Sequence, residues 1–323
     1  ISIVITFFVW QQGLRDSLSR PSVSFDISQK EQEIVELAVQ SIPRNLKNFF
    51  VSKDPVEEIN NALSEVSFNE LTERNKIIRI ISSESKELLF KTAKLLHKNK
   101  LKYFRVHMFK PLTFPYRSSQ YSESGIKALN WIKEIKKEFN FIFIAEITEI
   151  QYLEPMIDVI DILQIGTRNM QNFELLRECA RSKRPLILKR HHGASIRDLL
   201  GAAEHILLEG NNNLILCERG ISAPHTHRNT SRFILDLQAV CALKELTSMP
   251  IISDPSHASF WAPWVPNLAK ASISAGADGL IIETHPNPSK SKVDPLQPLN
   301  FNQFSNLITK LRKYAKIEGK KIV

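Results

Sequence analysis

The chain has 323 residues, of which 43% are hydrophobic and 24% are charged. This composition is typical of a globular protein and excludes a largely disordered or fibrous chain. The net charge of +9 comes from lysine-rich segments with helical patterning and without a nucleic-acid-binding motif, so it predicts solvated helix faces rather than a nucleic-acid partner.

The first 76 residues are predicted to form an N-terminal appendage of unknown role. Residues 1–10 are apolar, but they number only half of the roughly 20 residues that span a bilayer, so they predict a short strand and no membrane partner, with a truncated signal anchor as the alternative. Segments 28–42 and 55–66 read as short helices, and Pro43 ends the first of them.

From residue 77 to residue 323 the pattern alternates between strand and helix. Apolar, β-rich runs occur at 77–81, 101–108, 141–146, 159–165, 185–189, 213–217, 249–253 and 278–283. Amphipathic segments follow near 85–99, 123–138, 149–156, 171–182, 194–208, 232–246, 264–275 and 301–317. Eight such repeats predict a (β/α)8 (TIM) barrel as the catalytic domain.

The cysteines carry no recognisable chemistry. Cys179, Cys217 and Cys241 lack CxxC spacing, so they are predicted to be buried small hydrophobic residues in a reducing, cytoplasmic environment. By analogy with other barrel enzymes, the chain is expected to be a homo-oligomer.

Basic residues recur at the ends of the predicted strands, where barrel enzymes place their chemistry. The five are Arg105, Lys110, Arg168, Lys189 and Arg219. Gathering like charges in one mouth costs folding energy unless anions occupy it, and arginine forks suit carboxylate and phosphate oxygens. The pattern therefore predicts a small, multiply anionic ligand, with ion pairs to Glu146, Glu218 and Asp254 as the alternative.

The last two predicted strands deliver possible metal ligands. His257 follows strand seven in the run Asp254-Pro-Ser-His257, Glu283 ends strand eight, and Asp294 lies in the following loop. An imidazole with two carboxylates is a suitable ligand set for a divalent cation that keeps positions open to substrate.

Several motifs, in their order along the chain, resemble those of a known family. They are Lys110-Pro-Leu-Thr-Phe-Pro-Tyr116, Leu163-Gln-Ile-Gly-Thr-Arg-Asn169, Leu188-Lys-Arg190, Leu216-Cys-Glu-Arg-Gly220, Asp254-Pro-Ser-His257, Ile282-Glu-Thr-His-Pro286 and Asp294. Together they resemble the type I 3-deoxy-D-arabino-heptulosonate-7-phosphate (DAHP) synthases, in particular the beta subgroup. The 3-deoxy-octulosonate-8-phosphate synthases are more distantly similar, and the Lys-Pro-x-Thr and Asp-Pro-Ser-His motifs favour the heptulosonate branch.

The resemblance implies a transferase that condenses phosphoenolpyruvate with erythrose 4-phosphate, giving DAHP and phosphate, the first step of the shikimate pathway to aromatic amino acids. It implies catalytic roles for Lys110, Glu146 and His257. It implies substrate contacts for Arg105, Lys110, Thr113, Arg168, Lys189, Glu218 and Arg219. It implies His257, Glu283 and Asp294 as ligands of a divalent metal of the Mn, Fe, Co or Zn class.

Two positions depart from the family pattern. Ile81 stands where the family has a metal-binding cysteine, and Leu112 replaces the arginine that receives the aldose phosphate. Loss of such a charge-assisted contact typically costs about 1.5–3 kcal/mol. An active DAHP synthase is the leading interpretation, and the alternatives are a related synthase with another aldose acceptor and a non-catalytic, metabolite-binding barrel.

Overall fold

A computed structural model of the chain describes residues 3–11, 77–82, 85–109, 125–224, 227, 233–291 and 294–322. The helices predicted at 28–42 and 55–66 lie outside these residues. The domain boundary predicted at residue 76 stays a prediction.

Ten strands lie in the described residues and belong to one sheet. They are β1 (Ile3–Gln11), β2 (Ile77–Ser82), β3 (Tyr103–His107), β4 (Ile142–Ile147), β5 (Ile162–Ile165), β6 (Leu186–Lys189), β7 (Leu214–Glu218), β8 (Ile251–Ser253), β9 (Gly279–Glu283) and β10 (Lys320–Ile322). From β2 to β9 each strand pairs in parallel with the next, and β2 also pairs in parallel with β9 where Ile80 meets Glu283. These eight strands form the (β/α)8 barrel predicted from the alternation.

Nine α-helices in the same residues complete the repeats. They are α1 (Lys86–Lys98), α2 (Lys127–Glu138), α3 (Leu153–Ile157), α4 (Phe173–Arg181), α5 (Ile196–Leu208), α6 (Leu237–Leu246), α7 (Pro255–Ser259), α8 (Val265–Ser274) and α9 (Phe301–Ile317). Single 3₁₀ turns lie at Ile150–Tyr152, Thr167–Asn169, Ala262–Trp264 and Pro288–Lys290. Helix starts follow side-chain chemistry: Ser195 and Asp198 cap α5 reciprocally, and Asn300 and Gln303 do the same for α9.

The strand predicted at the N-terminus is present, and it is part of the barrel's sheet. β1 runs antiparallel to both β2 and β9, and Val9 to Gln11 pair with β10. β1 and the described residues from 77 onwards therefore belong to one compact unit.

The core has two parts, which correspond to the two faces of the barrel strands. A large cluster joins the outward-facing strand residues to the helices, for example Leu163 and Leu188 with Leu175 and Leu199. A smaller cluster takes one residue from each of seven strands: Tyr103, Ile144, Ile162, Ile187, Cys217, Ile252 and Ile281. This second cluster fills the barrel interior, as expected for a closed barrel packed by side chains.

Candidate active site

The residue two positions after each member of the interior cluster is polar. These residues are Arg105, Glu146, Gln164, Lys189, Arg219, Asp254 and Glu283. Because side chains alternate across a strand, residues two apart share a face. The polar residues therefore form the next interior layer towards the carboxyl ends of the strands, which is the end where barrel enzymes hold their active sites.

Arg105 lies inside this layer and is 1% exposed. Its Nη2 donates to Oε2 of Glu146 at 2.8 Å, and Nε2 of Gln164 donates to the same oxygen at 3.1 Å. Burial lowers the pKa of Arg105, and the nearby carboxylates of Glu146, Asp254 and Glu283 oppose that effect. Nε and Nη1 of Arg105 have no hydrogen-bond partner among the described residues, which leaves two buried donors for an anion.

Glu146 occupies space that a glycine leaves open. A Cβ atom on Gly166 would lie 1.9 Å from Oε1 of Glu146, far inside van der Waals contact. Any other residue at position 166 would displace the carboxylate that holds Arg105. The glycine of the Gln164-Ile-Gly166 segment is therefore required by close approach rather than by backbone conformation.

Asp254 connects two of the predicted site residues. Its Oδ2 lies 2.5 Å from Nζ of Lys189 and 2.7 Å from Nδ1 of His257, although the latter contact lies outside the angular range of a hydrogen bond. Its Oδ1 accepts the backbone N–H of His257 at 3.0 Å and so caps the N-terminus of α7. The position of His257 is thus fixed by the residue that ends strand β8.

The electrostatic environment keeps this group in defined charge states. Burial lowers the pKa of His257 to about 3, an effect that Lys189 and Arg219 reinforce and Asp254 opposes. Burial would raise the pKa of Asp254, but His257 and Lys189 hold it below its usual range. At neutral pH the His257 imidazole is therefore neutral and the Asp254 carboxyl group is ionised.

The other ring nitrogen of His257 faces the end of β9. Nε2 lies 3.2 Å from Oε1 of Glu283, whose side chain is 2% exposed. Nε2 of Gln297 donates to Oε2 of Glu283 at 2.5 Å, and the backbone N–H of Gln297 donates to the carbonyl of Asp294 at 3.4 Å. Gln297, which the sequence did not single out, links the Asp294 segment to Glu283.

Arg219 and Arg168 lie on the same rim. Arg219 follows β7, is 7% exposed and contributes to the low pKa of His257. Arg168, in the turn after β5, is exposed. Both arginines lie close enough to His192 to lower its pKa, which is lowered first by burial. The structure therefore brings Arg105, Lys189, Arg219 and His257 together, with Arg168 at the outer edge.

The Glu218 carboxylate accepts hydrogen bonds from Arg190 and from the backbone of Gly220. It is fully buried, and Oε2 accepts from Nη1 of Arg190 at 3.0 Å while Oε1 accepts the backbone N–H of Gly220 at 2.6 Å. Arg190 also pairs with Asp236, the N-cap of α6, at 2.9 Å. Glu218 thus ties the strand end to the helix layer, and its predicted contact with substrate stays a prediction.

Some predicted positions are not described. Lys110, Leu112 and Thr113 lie within 110–124, outside the described residues. Ile81 lies in β2, where its backbone pairs with Val106.

Cys179 and Cys217 are buried as predicted, but Cys241 is exposed, because it lies on α6 away from that helix's buried face.

The donors for a divalent metal can be tested against this geometry. His257 Nε2 and Glu283 Oε1 are a neutral nitrogen and a carboxylate oxygen that face each other at 3.2 Å, which fits two ligands of an open N/O site. No cluster of three or more His, Cys, Asp or Glu side chains at metal-binding spacing occurs within the described part of the chain. The pair is therefore a partial ligand set, to which Asp294 is the predicted addition.

Fold and site together define a class: a (β/α)8 barrel with a cluster of cationic side chains at the carboxyl ends of its strands. A sequence model of the DAHP synthetase I family matches residues 35–318. A phospho-2-dehydro-3-deoxyheptonate aldolase of Thermotoga maritima is 35% identical over 241 residues, which cover 75% of this chain and 70% of that protein. A 2-dehydro-3-deoxyphosphooctonate aldolase of Acinetobacter baylyi is 28% identical over 255 residues, 71% of this chain and 84% of that protein.

Solved structures agree with the sequence comparisons. A truncated 3-deoxy-D-arabino-heptulosonate 7-phosphate synthase from Thermotoga maritima has a TM-score of 0.67 and 33% identity, covering 75% of this chain and 88% of that chain. A DAHP synthase crystal structure from the same organism has a TM-score of 0.70 and 25% identity, covering 99% and 98%. The chain belongs to the DAHP synthetase I family.

Family membership confirms the resemblance noted in the sequence motifs, the barrel fold and the assignment as a DAHP synthase, hence as an enzyme. Enzymes of this family are generally metal-dependent. No helix in the described parts of the chain is long and apolar enough to cross a membrane.

Proposed function

We propose that this chain condenses phosphoenolpyruvate with erythrose 4-phosphate to give DAHP and inorganic phosphate. The observation that carries the proposal is the gathering of Arg105, Lys189 and Arg219 around His257, in a chain of the DAHP synthetase I family. Phosphoenolpyruvate carries a phosphate and a carboxylate on three carbons, so a compact group of cations matches its charge distribution.

The cations act by binding and orientation. Arg105 offers two buried N–H donors, while Lys189 and Arg219 supply positive charge near His257. Lys110 and Arg168 complete the predicted set. Fixing the phosphate and the carboxylate aims the methylene carbon of phosphoenolpyruvate at the aldehyde carbon of the acceptor, which converts a bimolecular encounter into an oriented one.

Glu146 is the proposed group for proton and water handling. The new C–C bond joins the methylene carbon of phosphoenolpyruvate to the aldehyde carbon, and release of inorganic phosphate consumes one water. Glu146 is held between Arg105 and Gln164, and its Oε2 lies 4.0 Å from Nε2 of His107. Its carboxylate is thus oriented at the mouth, with 14% exposure through which water reaches it.

We propose His257, Glu283 and Asp294 as the ligands of a divalent cation of the Mn, Fe, Co or Zn class. Ile81 has no donor atom, so the protein supplies three ligands instead of four. When bound, the cation would polarise the aldehyde carbonyl of the acceptor. Gln297 holds Glu283 in the orientation that faces His257.

Phosphate release from phosphoenolpyruvate tests this function. The purified chain is assayed with erythrose 4-phosphate, with Mn²⁺ and with a chelator, and the product is identified by mass spectrometry. Arg105→Met is expected to lower kcat/KM at least about 100-fold, because it removes buried donors to the substrate. Arg181→Met is the matched control, since Arg181 is an exposed arginine paired with Glu209, and it is expected to change kcat/KM less than twofold.

Leu112 favours a second candidate, a synthase with another acceptor. An octulosonate has eight carbons, of which phosphoenolpyruvate supplies three, so a five-carbon aldose phosphate is the acceptor to compare. A kcat/KM higher with that aldose than with erythrose 4-phosphate would replace the first proposal by the second. Phosphoenolpyruvate binding without phosphate release from any aldose would favour the non-catalytic barrel.

A further inference from the structure

An aromatic stack lies beside the proposed phosphoenolpyruvate site. Cζ of Arg219 lies 4.3 Å from the ring centroid of Phe233. The Phe233 ring stacks on His192 with centroids 4.8 Å apart and an interplanar angle of 27°. The ring centroids of His192 and His191 are 4.2 Å apart. Nδ1 of His192 lies 2.9 Å from Oγ of Ser222. His192 and Phe233 are together called the aromatic stack below.

The backbone fixes Phe233 against the end of β7. Ile221 and Ile234 exchange two backbone hydrogen bonds, of 2.9 and 3.0 Å, in an antiparallel bridge that fixes the neighbouring Phe233 beside the residues that follow β7. Gly220 has φ of +96°, and a Cβ atom there would lie 2.8 Å from Cβ of Phe233. Glycine is thus needed at this position both for its conformation and for the close approach of Phe233.

A ring face holds a guanidinium in a particular way. It attracts the cation electrostatically, and it leaves the N–H donors in the guanidinium plane directed past the ring. An arginine side chain has about 2 kcal/mol of rotamer entropy to lose on ordering. Stacking on Phe233 orders Arg219 before the ligand arrives, so less of that cost falls on binding.

His192 supports the ring without adding a competing charge. Burial lowers its pKa, and His191, Arg219 and Arg168 lower it further, so the ring is neutral at neutral pH. Its contact with Ser222 and the hydrogen bond from the Ser222 N–H to the His192 carbonyl, 2.8 Å, set its position. The chain of contacts therefore runs from Ser222 through His192 and Phe233 to Arg219.

We propose that Phe233, supported by His192, is a positioning residue that orders the Arg219 guanidinium for the phosphoenolpyruvate anion. The inference rests on the proposed function, because it takes phosphoenolpyruvate as the ligand of Arg219. It assigns Phe233 a role in substrate affinity and not in the chemical step. No contact of Phe233 with substrate is required.

The test measures phosphoenolpyruvate binding directly by calorimetry, without aldose, and then KM and kcat. Phe233→Leu removes the ring face and keeps an apolar side chain, so Kd and KM for phosphoenolpyruvate are expected to rise about five- to thirtyfold with kcat within twofold. Phe233→Tyr keeps the ring face and is expected to restore affinity to within twofold of wild type. His192→Leu is expected to raise Kd by about two- to fivefold, since it removes only the support.

Phe173→Leu is the matched control. Phe173 stacks on His205 with centroids 4.2 Å apart and an angle of 23°, but it lies on α4 and is 40% exposed. This variant loses the same kind of aromatic–histidine contact, and it is expected to leave Kd and KM unchanged. Melting temperatures of all variants separate loss of affinity from loss of folding, and His192→Leu carries the test where Phe233→Leu does not fold.

The outcomes are distinguishable. Equal phosphoenolpyruvate affinity in wild type, Phe233→Leu and His192→Leu would overturn the inference and leave the proposed function standing. Failure of Phe233→Tyr to restore affinity would also overturn it, because a packing role alone would then explain the loss. No binding of phosphoenolpyruvate by the wild-type chain would overturn the proposed function and the inference with it.

Discussion

Replacement of Asp254 by asparagine removes a buried charge while it preserves the shape of the side chain. The pair of Asp254 with Lys189 has side chains that are 0% and 4% exposed. Removing one partner of such a pair leaves an uncompensated charge in the interior and costs about 3–5 kcal/mol. The asparagine Oδ1 still accepts the His257 N–H, so the N-cap of α7 is retained.

Asp278→Asn, at the residue that precedes β9, provides the comparison. Asp278 pairs with Lys244 at 2.9 Å, but the side chains are 21% and 34% exposed, and Asp278 also accepts the backbone N–H of Ile251 at 2.8 Å. A solvated pair of this kind contributes about 0–1 kcal/mol. The asparagine keeps the bond to Ile251, so the two variants differ mainly in the burial of the lost charge.

Urea unfolding followed by circular dichroism measures both variants at pH 7 without added metal. Asp254→Asn is expected to lower the free energy of unfolding by at least about 2 kcal/mol more than Asp278→Asn. Lys189→Met in the Asp254→Asn background is expected to recover part of the loss, because the unpaired ammonium is then absent. Equal losses in the two single variants would refute the reasoning that burial decides the strength of the pair.

Three further predictions test other parts of the structure. Gly166→Ala is expected to displace the carboxylate of Glu146, to lower kcat/KM at least about tenfold and to destabilise the protein by about 1–3 kcal/mol. Its control is Gly201→Ala on α5, where a Cβ atom has open space. This variant is expected to stabilise the protein by about 0.5–1 kcal/mol in thermal unfolding. Glu218→Gln is expected to lower the unfolding free energy by about 1.5–3 kcal/mol with KM for phosphoenolpyruvate unchanged, and a raised KM with unchanged stability would instead support substrate contact. Iodoacetamide is expected to label Cys241 in the native protein and the two buried cysteines only after unfolding, as read by peptide mass spectrometry.

The labelling prediction has a simple physical basis. Burial raises the pKa of the Cys179 thiol to about 12, and it raises the pKa of Cys217 as well. Because the thiolate is the reactive form, both groups combine a small ionised fraction with no access to reagent. Native labelling of Cys217 would show that the barrel interior opens on the time scale of the assay.

The strand and helix repeat could be predicted because its signals are local. The predicted helix 301–317 has the observed bounds of α9, and the predicted strands overlap those observed within a few residues. Apolar runs of five to eight residues, each followed by an amphipathic segment, have few other folds available. The cations and carboxylates at strand ends followed from the same reading.

Which side chains at the strand ends point into the barrel interior could not be predicted in the same way. Parallel barrel strands are apolar on both faces, so the sequence does not show which of two adjacent residues faces the interior. Glu218 and Arg219 are both predicted to contact substrate, and the structure gives these adjacent residues different neighbours. Glu218 pairs with Arg190, and Arg219 lies by His257.

The amino-acid sequence by itself determined the barrel, the family and most of the charged residues at the mouth, because periodicity and motifs are properties of neighbouring residues. Only the tertiary structure decided the partners: Asp254 between Lys189 and His257, Gln297 on Glu283, and Phe233 under Arg219. These contacts join strands that are distant along the chain, and their geometry depends on how the barrel closes. A linear pattern contains the residues of such a site, and the closed sheet determines which of them meet.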